Sequence, residues 1–259
     1  MKHQPAGQTS EIPTSTPASK LLKVVAIFRT LDGECTLNGP LQFSTFIRLG
    51  GCNLRCWKST GFCDAPATLD MSFPYPEMTV EQIITKVEQL KVKRVTITGG
   101  EPLLQKPLLL DLCYALKELG IKIHLETSGS IALLSTELYA FDCVIMDLKP
   151  PSTEMEKMNK FSMIPMLRTH DYIKFVLSDR ADFTWALSVL KKYNHRCHVA
   201  MGPRFGYLTG AEIVKWLAEA EQFQIQLNLQ LHKYIWPHDE PYFKDLKQVD
   251  FNKFVALEK

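Results

Sequence analysis

From residue 21 onward, hydrophobic positions along this chain follow two alternating periods. Runs rich in β-branched and aromatic residues at 21–29 (LLKVVAIFR) and 43–49 (FSTFIRL) predict strands. In MTVEQIITKVEQL, Ile83, Ile84, Val87 and Leu90 recur on one face, and Thr79 with Gln82 forms a capping box, so a helix is expected there. A short strand at 94–98 (RVTIT) runs into Gly99–Gly100. A second helix (PLLLDLCYALKEL) stops at Gly120. Strands are expected at IKIHLE, CVIMDLK, YIKFVL, CHVAM and IQLNLQL. Helices are expected in the turn region after TSGS, at 181–192 with Ser178 or Asp179 as cap, and at TGAEIVKWLAEAEQF with Thr209 and Glu212 as a second capping box.

Strand-then-helix units in series imply an α/β fold with a mainly parallel sheet. About six such strands fall short of the eight of a closed barrel, so a partial, open (β/α)6 barrel is expected. Ligands in this class sit at the C-terminal ends of the strands. Polar, glycine-bearing turns stand at those ends: TGGEP (98–102), ETSG (126–129), DLKP (147–150), LSD (177–179), MGP (201–203) and QLHK (230–233). Turns are polar in any protein; six at one end of one sheet point to a site.

The chain has 259 residues, with 30 basic and 28 acidic side chains and a net charge of +2. That balance gives no electrostatic footprint for nucleic acid or an anionic membrane, and no apolar run approaches the ~18–20 residues of a membrane span. Residues 1–20 are rich in Ser, Thr and Pro without the apolar core of a signal peptide, and are read as a disordered tail. The core domain is expected over 21–236, with a C-terminal extension at 237–259. Seven cysteines, an odd number, argue against a disulfide framework and for a reducing, cytoplasmic setting. Cys113, Cys143 and Cys197 lie in apolar patterns and read as buried small hydrophobes.

The other chemistry-bearing cysteines are Cys52, Cys56 and Cys63, in GCNLRCWKSTGFCD. Inert thiols explain three cysteines in a glycine-flanked loop poorly. Structural zinc asks for four ligands, usually in paired short spacings; Cys35 is the available fourth, and neither interval here has that spacing. A [4Fe–4S] cluster normally takes four thiolates. Three would leave one iron open, as catalytic metal sites do.

GCNLRC…FC resembles the cluster loop of radical S-adenosylmethionine (SAM) enzymes, usually C-x3-C-x-aromatic-C. Here Phe62–Cys63 fits the end of the pattern, and four extra residues stretch the second interval to C-x6-C. TGGEP resembles the SAM-binding motif of the same superfamily. FRTLDGEC, FIRLGGCNLRC, TGGEPLLQ, ETSG, MDLKP and LQLHKYIW together resemble the 7-carboxy-7-deazaguanine synthase family over residues 21–236. That family contracts the ring of 6-carboxytetrahydropterin with loss of ammonia, toward the 7-deazaguanine core of queuosine, and its members vary the cluster loop.

The resemblance implies ligands Cys52, Cys56 and Cys63 for a [4Fe–4S] cluster, with SAM on the open iron and reductive cleavage to a 5′-deoxyadenosyl radical. It implies SAM contacts from Phe62, Gly99, Gly100, Glu101, Ser128, Asp147, Leu148, Lys149, Met201, Gly202 and Pro203, with Glu101 as anion for the SAM ammonium. It implies pterin contacts from Leu31, Asp32, Gly33, Glu34, Arg48, Thr98 and His232, with Lys233 a weaker candidate. Arg48, at the end of an apolar strand beside the cluster loop, is expected to clamp the substrate carboxylate. Asp32 stands where the family reads Gln. After the third cysteine the family reads C-D-T, its Thr helping to hold Mg2+; here Asp64 is followed by Ala65, and Ser59 or Thr60 would have to substitute. The expected partners are the pterin, a flavodoxin- or ferredoxin-type electron donor and a second copy in a homodimer, with no nucleic acid and no membrane. The alternative readings are an activase placing a glycyl radical on a partner protein, and a non-catalytic binding module stabilised by metal.

Overall fold

A computed structural model of the chain describes residues 21–35, 42–59, 63 and 65–235. The expected tail, the C-terminal extension, Thr60, Phe62 and Asp64 lie outside the described residues.

β1 (Leu22–Asp32) and β2 (Gln42–Leu49) pair antiparallel, with Ala26 opposite Arg48 and Leu31 opposite Phe43. β3 (Glu77–Met78) adds outside β1, also antiparallel. From β2 the sheet continues through β4 (Arg94–Gly99), β5 (Lys122–Thr127), β6 (Cys143–Leu148), β7 (Tyr172–Leu177), β8 (His198–Pro203) and β9 (Gln226–Leu227). Each is parallel to its neighbour, and the order across the sheet is β3-β1-β2-β4-β5-β6-β7-β8-β9. The sheet is not closed between β3 and β9. This is the open, mainly parallel architecture the strand count predicts, with an antiparallel hairpin at its start.

The crossovers are helical where the sequence carries helix signals. α1 (Val80–Gln89) and α4 (Gly210–Glu219) begin at the two capping boxes, Thr79/Gln82 and Thr209/Glu212, with both reciprocal bonds formed. α2 (Lys106–Glu118) follows the glycine turn, and α3 (Arg180–Lys192) is capped by Asp179, whose carboxylate accepts from Asp182 N–H. Between β6 and β7 the chain makes only short 3-10 turns, at 151–153, 156–158 and 161–166. Pro150, Pro151 and Pro165 in this stretch lack the N–H that a continuous α-helix needs.

Period-two alternation gives each central strand one face toward the helices and one toward the opposite side. The helix-side face builds the core from Ile97, Leu125, Val144, Met146, Ile173, Phe175, Val199 and Met201, among others. The expected last strand over IQLNLQL shortens to two residues. Asn228 instead accepts from Cys35 N–H at 2.7 Å and donates to Glu34 at 3.3 Å. A polar residue committed to the far end of β1 ends the ladder. α5 (His232–Ile235) follows one turn later.

Candidate active site

One cavity opens at the C-terminal ends of the parallel strands, and the cysteine loop after β2 forms one end of it. Cys52, Cys56 and Cys63 all line it, beside Gly99 and Gly100. Gly99 has φ +142°, and a Cβ there would stand 2.1 Å from the Leu49 carbonyl oxygen. A Cβ on Gly100 would stand 2.2 Å from the Gly51 carbonyl oxygen and 2.8 Å from Cys52 Cβ. Glycine is therefore required at both positions for the β4 turn to lie directly on the cysteine loop.

Glu101, the expected anion for the SAM ammonium, is held by hydrogen bonds within the chain. Its carboxylate accepts from Leu103 N–H at 3.0 Å, Thr127 Oγ1 at 2.8 Å, and Ser128 N–H at 2.8 Å together with the Ser128 hydroxyl. It is 1% exposed and does not line the cavity. It ties the β4 turn to the β5 turn, next to Gly99 and Gly100, which line the cavity.

In the metal-free chain burial raises the Cys52 thiol, and pushes Cys56 up to about 11 although Lys149 lies nearby. Thiolates in such a place need cationic partners. Among the described residues no three His, Cys, Asp or Glu side chains converge tightly enough for a single metal ion. Three soft thiol donors at one cavity end, with the Gly99–Gly100 backbone beside them, are a ligand set of the kind that iron–sulfur clusters take.

Next along the cavity come Ser128, Asp147 and Lys149. Lys149 Nζ pairs with Asp147 Oδ2 at 3.1 Å, and the Lys149 N–H and C=O are both held by the Asn159 side chain at 2.9 Å. Leu148, Met201, Gly202 and Pro203, expected here as well, do not line the cavity. Alternation explains the first two: Leu148 and Met201 point to the helix side and lie in the core. Gly202 is covered by the Asn228 carbonyl, which a Cβ would meet at 2.1 Å, and Pro203 is buried.

The far wall gathers the expected substrate residues. Leu31, Asp32, Gly33 and Glu34 all line it, with Arg48, Thr98, His232 and Lys233. Arg48 and Thr98 are register partners on β2 and β4, and the Arg48 guanidinium lies 5.6 Å from the Phe28 ring centroid. Gly33 brings this segment against α5: its carbonyl accepts from Leu231 N–H at 3.0 Å, and a Cβ would lie 2.9 Å from His232 N.

Glu126 and Gln230, which stand in the expected ETSG and QLHK turns, line this wall too, and with them Lys174 and Val176, which lie inside a strand and were not legible as site residues. Lys174 forms an ion pair with Glu34 and lies 3.7 Å from Asp147 Oδ2. Gln230 donates to Glu34 at 3.2 Å, and Thr98 donates to Glu126 at 2.8 Å. Burial opposes charge on Glu34, but Lys174 and His232 outweigh it and hold the carboxyl at about 2. Burial, then the charge on Glu34, pushes Glu126 up to about 7. Burial also raises Asp32 to about 6 against the pull of Arg94 and the Thr96 hydroxyl, which donates at 3.0 Å. The signal for Lys174 was a single cation inside the apolar run YIKFVL, facing the same side as Tyr172 and Val176.

Residues 46–140 match the model of the radical SAM superfamily. A 7-carboxy-7-deazaguanine synthase from Clostridium acetobutylicum is 32% identical over 217 residues, covering 83% of this chain and 96% of that protein. Another from Koribacter versatilis is 32% identical over 232 residues, covering 83% and 97%. The chain belongs to the 7-carboxy-7-deazaguanine synthase family. The fold is similar to the crystal structure of QueE from Escherichia coli, with a TM-score of 0.56 at 17% identity, covering 80% of this chain and 93% of that one.

Membership in the family makes the chain an enzyme of the radical SAM type, a class that works with a [4Fe–4S] cluster and SAM. Three thiols stand at one end of the cavity, followed by the Gly99–Gly100 backbone and the Asp147–Lys149 pair. No helix among the described residues is long and apolar enough to cross a membrane.

Proposed function

We propose that this enzyme converts 6-carboxytetrahydropterin to 7-carboxy-7-deazaguanine with loss of ammonia, in queuosine-type 7-deazapurine biosynthesis. The observation that carries the reading is continuity. A single cavity runs from three thiols, past Gly99–Gly100 and Asp147–Lys149, to a wall with three cations (Arg48, Lys174 and Lys233) and three carboxylates (Asp32, Glu34 and Glu126). Cys52, Cys56 and Cys63 would hold the cluster. Gly99, Gly100, Ser128, Asp147 and Lys149 would hold SAM. The bound pair supplies reductive SAM cleavage and hydrogen-atom abstraction from the substrate.

The chain's own residues orient and exclude water. Arg48 pairs with the substrate carboxylate through its planar fork. Asp32 and Glu126 face the ring edge, where N–H donors of a 2-amino-pyrimidinone need acceptors. Glu34 stays ionised beside Lys174, and Thr98 fixes the orientation of Glu126. His232 closes the wall from α5.

Mg2+ belongs to the same reading, held near Asp64. Ala65 lines the cavity without a side-chain oxygen to offer, and the Thr68 hydroxyl donates to the Ala65 carbonyl at 2.7 Å. Water ligands would replace the missing hydroxyl, as Mg2+ commonly keeps several. A flavodoxin- or ferredoxin-type donor, a homodimer and a reducing cytoplasmic setting complete the proposal; seven free cysteines support the last.

The test is anaerobic incubation of reduced, cluster-loaded protein with SAM and 6-carboxytetrahydropterin. Formation of the deazaguanine by mass spectrometry supports the reading. SAM cleavage with the pterin untouched would overturn it in favour of an activase, and stoichiometric zinc in place of iron would favour a binding module.

A further inference from the structure

The four extra residues between Cys56 and Cys63 pose a geometric problem. A longer interval has more ways to hold its cysteines apart, and closing it on one site costs conformational entropy. The structure shows how this chain limits that freedom. Trp57, the residue after Cys56, has φ +53°, a left-handed backbone unusual for a bulky side chain. Its side chain is 4% exposed, while Arg55, Lys58 and Ser59 around it are exposed.

Trp57 is fastened to three separate segments, those that follow β6, β7 and β8. Its N–H donates to the Thr153 carbonyl at 3.0 Å, after β6. Its indole Nε1 lies 3.4 Å from Ser152 Oγ and 3.3 Å from Ser178 Oγ, after β6 and β7. The Arg204 guanidinium, after β8, stands 4.6 Å from the indole centroid and 3.7 Å from that of Tyr207, so it is held between the two aromatic side chains. The serines are themselves fixed. Asp182, 1% exposed, accepts from Ser152 N–H at 3.1 Å, Ser152 Oγ at 2.6 Å and Ser178 N–H at 2.9 Å.

The same turn takes the loop on either side of the tryptophan. Arg55 N–H points to Met155 Sδ at 3.4 Å, and Ser59 N–H donates to Glu154 Oε1 at 3.2 Å. Alternate residues 55, 57 and 59 thus rest on 153–155, with Cys56 held between the first two. Trp57 also lines the cavity that the three thiols share.

We propose that Trp57 is a positioning residue for the cluster: it seats Cys56 against the segments that follow β6, β7 and β8, so that Cys56 meets the same cavity as Cys52 and Cys63. The proposal rests on the reading of Cys52, Cys56 and Cys63 as cluster ligands. A nearby aromatic that merely stabilised the fold would affect the melting of the metal-free chain and nothing else. An anchor for a ligand loop affects the cluster's electronic signature and the binding of SAM beside it.

The experiment compares wild type, Trp57→Phe, Trp57→Ala and Arg204→Met. It measures melting of the metal-free chain, iron per chain after anaerobic reconstitution, the electron paramagnetic resonance spectrum of the reduced protein with and without SAM, and the Kd for SAM. Wild type should load iron and change its spectrum on adding SAM. Trp57→Ala should bind SAM at least tenfold more weakly with a broadened or absent spectral change. Trp57→Phe, which keeps a ring against Arg204, should stay within about threefold of wild type. Arg204→Met should fall between.

Trp57→Ala with wild-type spectrum and SAM affinity would overturn the proposal, whatever its melting temperature. If Trp57→Ala does not fold, Arg204→Met and Ser178→Ala decide, and wild-type spectra and affinities in both would overturn it. Wild type that takes up no iron would overturn the ligand reading and this proposal together.

Discussion

Lys174 links Glu34 to Asp147. Its ammonium pairs with the Glu34 carboxylate and lies 3.7 Å from Asp147 Oδ2, so a single cation on β7 joins the substrate wall to the residues beside the cluster loop. The side chains of Lys174 and Glu34 are 8% and 13% exposed. Removing one partner of a buried pair leaves the other charge without compensation, at a cost of about 3–5 kcal/mol. Lys174→Met should lower the urea-unfolding free energy of the metal-free chain by about 3 kcal/mol. The double variant Glu34→Gln/Lys174→Met should recover at least half of that loss. Equal loss in single and double variants would show that the pair is not what Lys174 contributes.

Glu126 gives the folded chain a pH dependence of stated sign. Its ordinary value is 4.5 and its folded value about 7. Between those limits the folded state holds the proton more firmly than the unfolded state. Stability therefore falls as pH rises from about 4.5 to about 7. Asp32, raised from 3.8 to about 6, acts in the same direction. Glu34, lowered to about 2, acts oppositely and only in strong acid. Glu126→Gln should flatten the decline between pH 5 and 8, gaining on the order of 1–2 kcal/mol relative to wild type at pH 8, after allowing for screening by cavity water. Thermal denaturation of both proteins across that range is the measurement, and parallel curves would count against the shifted carboxyl.

Arg48 tests the carboxylate clamp. Lysine keeps the charge but loses the planar fork that grips two oxygens. Arg48→Lys should weaken pterin binding by roughly 1.5–3 kcal/mol, the range for a hydrogen bond to a charged group, while leaving SAM affinity unchanged. Calorimetry with the substrate separates the two. Unchanged pterin binding would return Arg48 to a structural role beside Phe28.

Local rules explain why much of this was legible in the sequence. Thr79/Gln82 and Thr209/Glu212 announce helix starts through bonds confined to four residues, and both form. The strand ends marked the cavity mouth, because parallel strands with right-handed crossovers place all their C-termini on one edge. Side-chain direction was harder to read. Leu148 and Met201, SAM contacts that the resemblance implies, have side chains that alternation sends to the core, while Lys174, inside its strand, faces the cavity. Glu101 illustrates a second limit. Its partners Thr127 and Ser128 belong to the next strand, and only the register of β4 against β5 brings them within reach.

The division among the cysteines is also open to test. Cys113 and Cys143 are fully buried and Cys197 is 8% exposed, whereas Cys52, Cys56 and Cys63 line the cavity. Alanine at any one of 52, 56 or 63 should abolish SAM cleavage and sharply reduce the iron retained. Alanine at 113, 143 or 197 should retain both, with a stability loss on the order of 1–2 kcal/mol for the shrunken core side chain. Full activity in Cys63→Ala would transfer the third ligand to another residue.

Asp32 lines the far wall of the cavity, and its surroundings define what its charge does there. Its carboxylate accepts from the Thr96 hydroxyl at 3.0 Å, and that hydroxyl also meets Ser44 Oγ at 2.8 Å. Arg94 stands near, held in turn by the Gln42 side chain at 3.0 Å and carbonyl at 2.9 Å. The charge on Asp32 is one of the causes that raise Glu126. Asp32→Asn keeps the shape and an acceptor oxygen for Thr96 but removes that negative charge. Glu126 then ionises more readily, because a like charge nearby disfavours the charged form. The pH at which pterin binding changes should fall by about half a unit, equivalent to roughly 0.7 kcal/mol. Calorimetric binding of the pterin between pH 5.5 and 8 measures the midpoint, and Glu126→Gln in the same series shows whether it belongs to Glu126. A midpoint that stays in place in Asp32→Asn and vanishes in Glu126→Gln would mean that Asp32 does not act through Glu126.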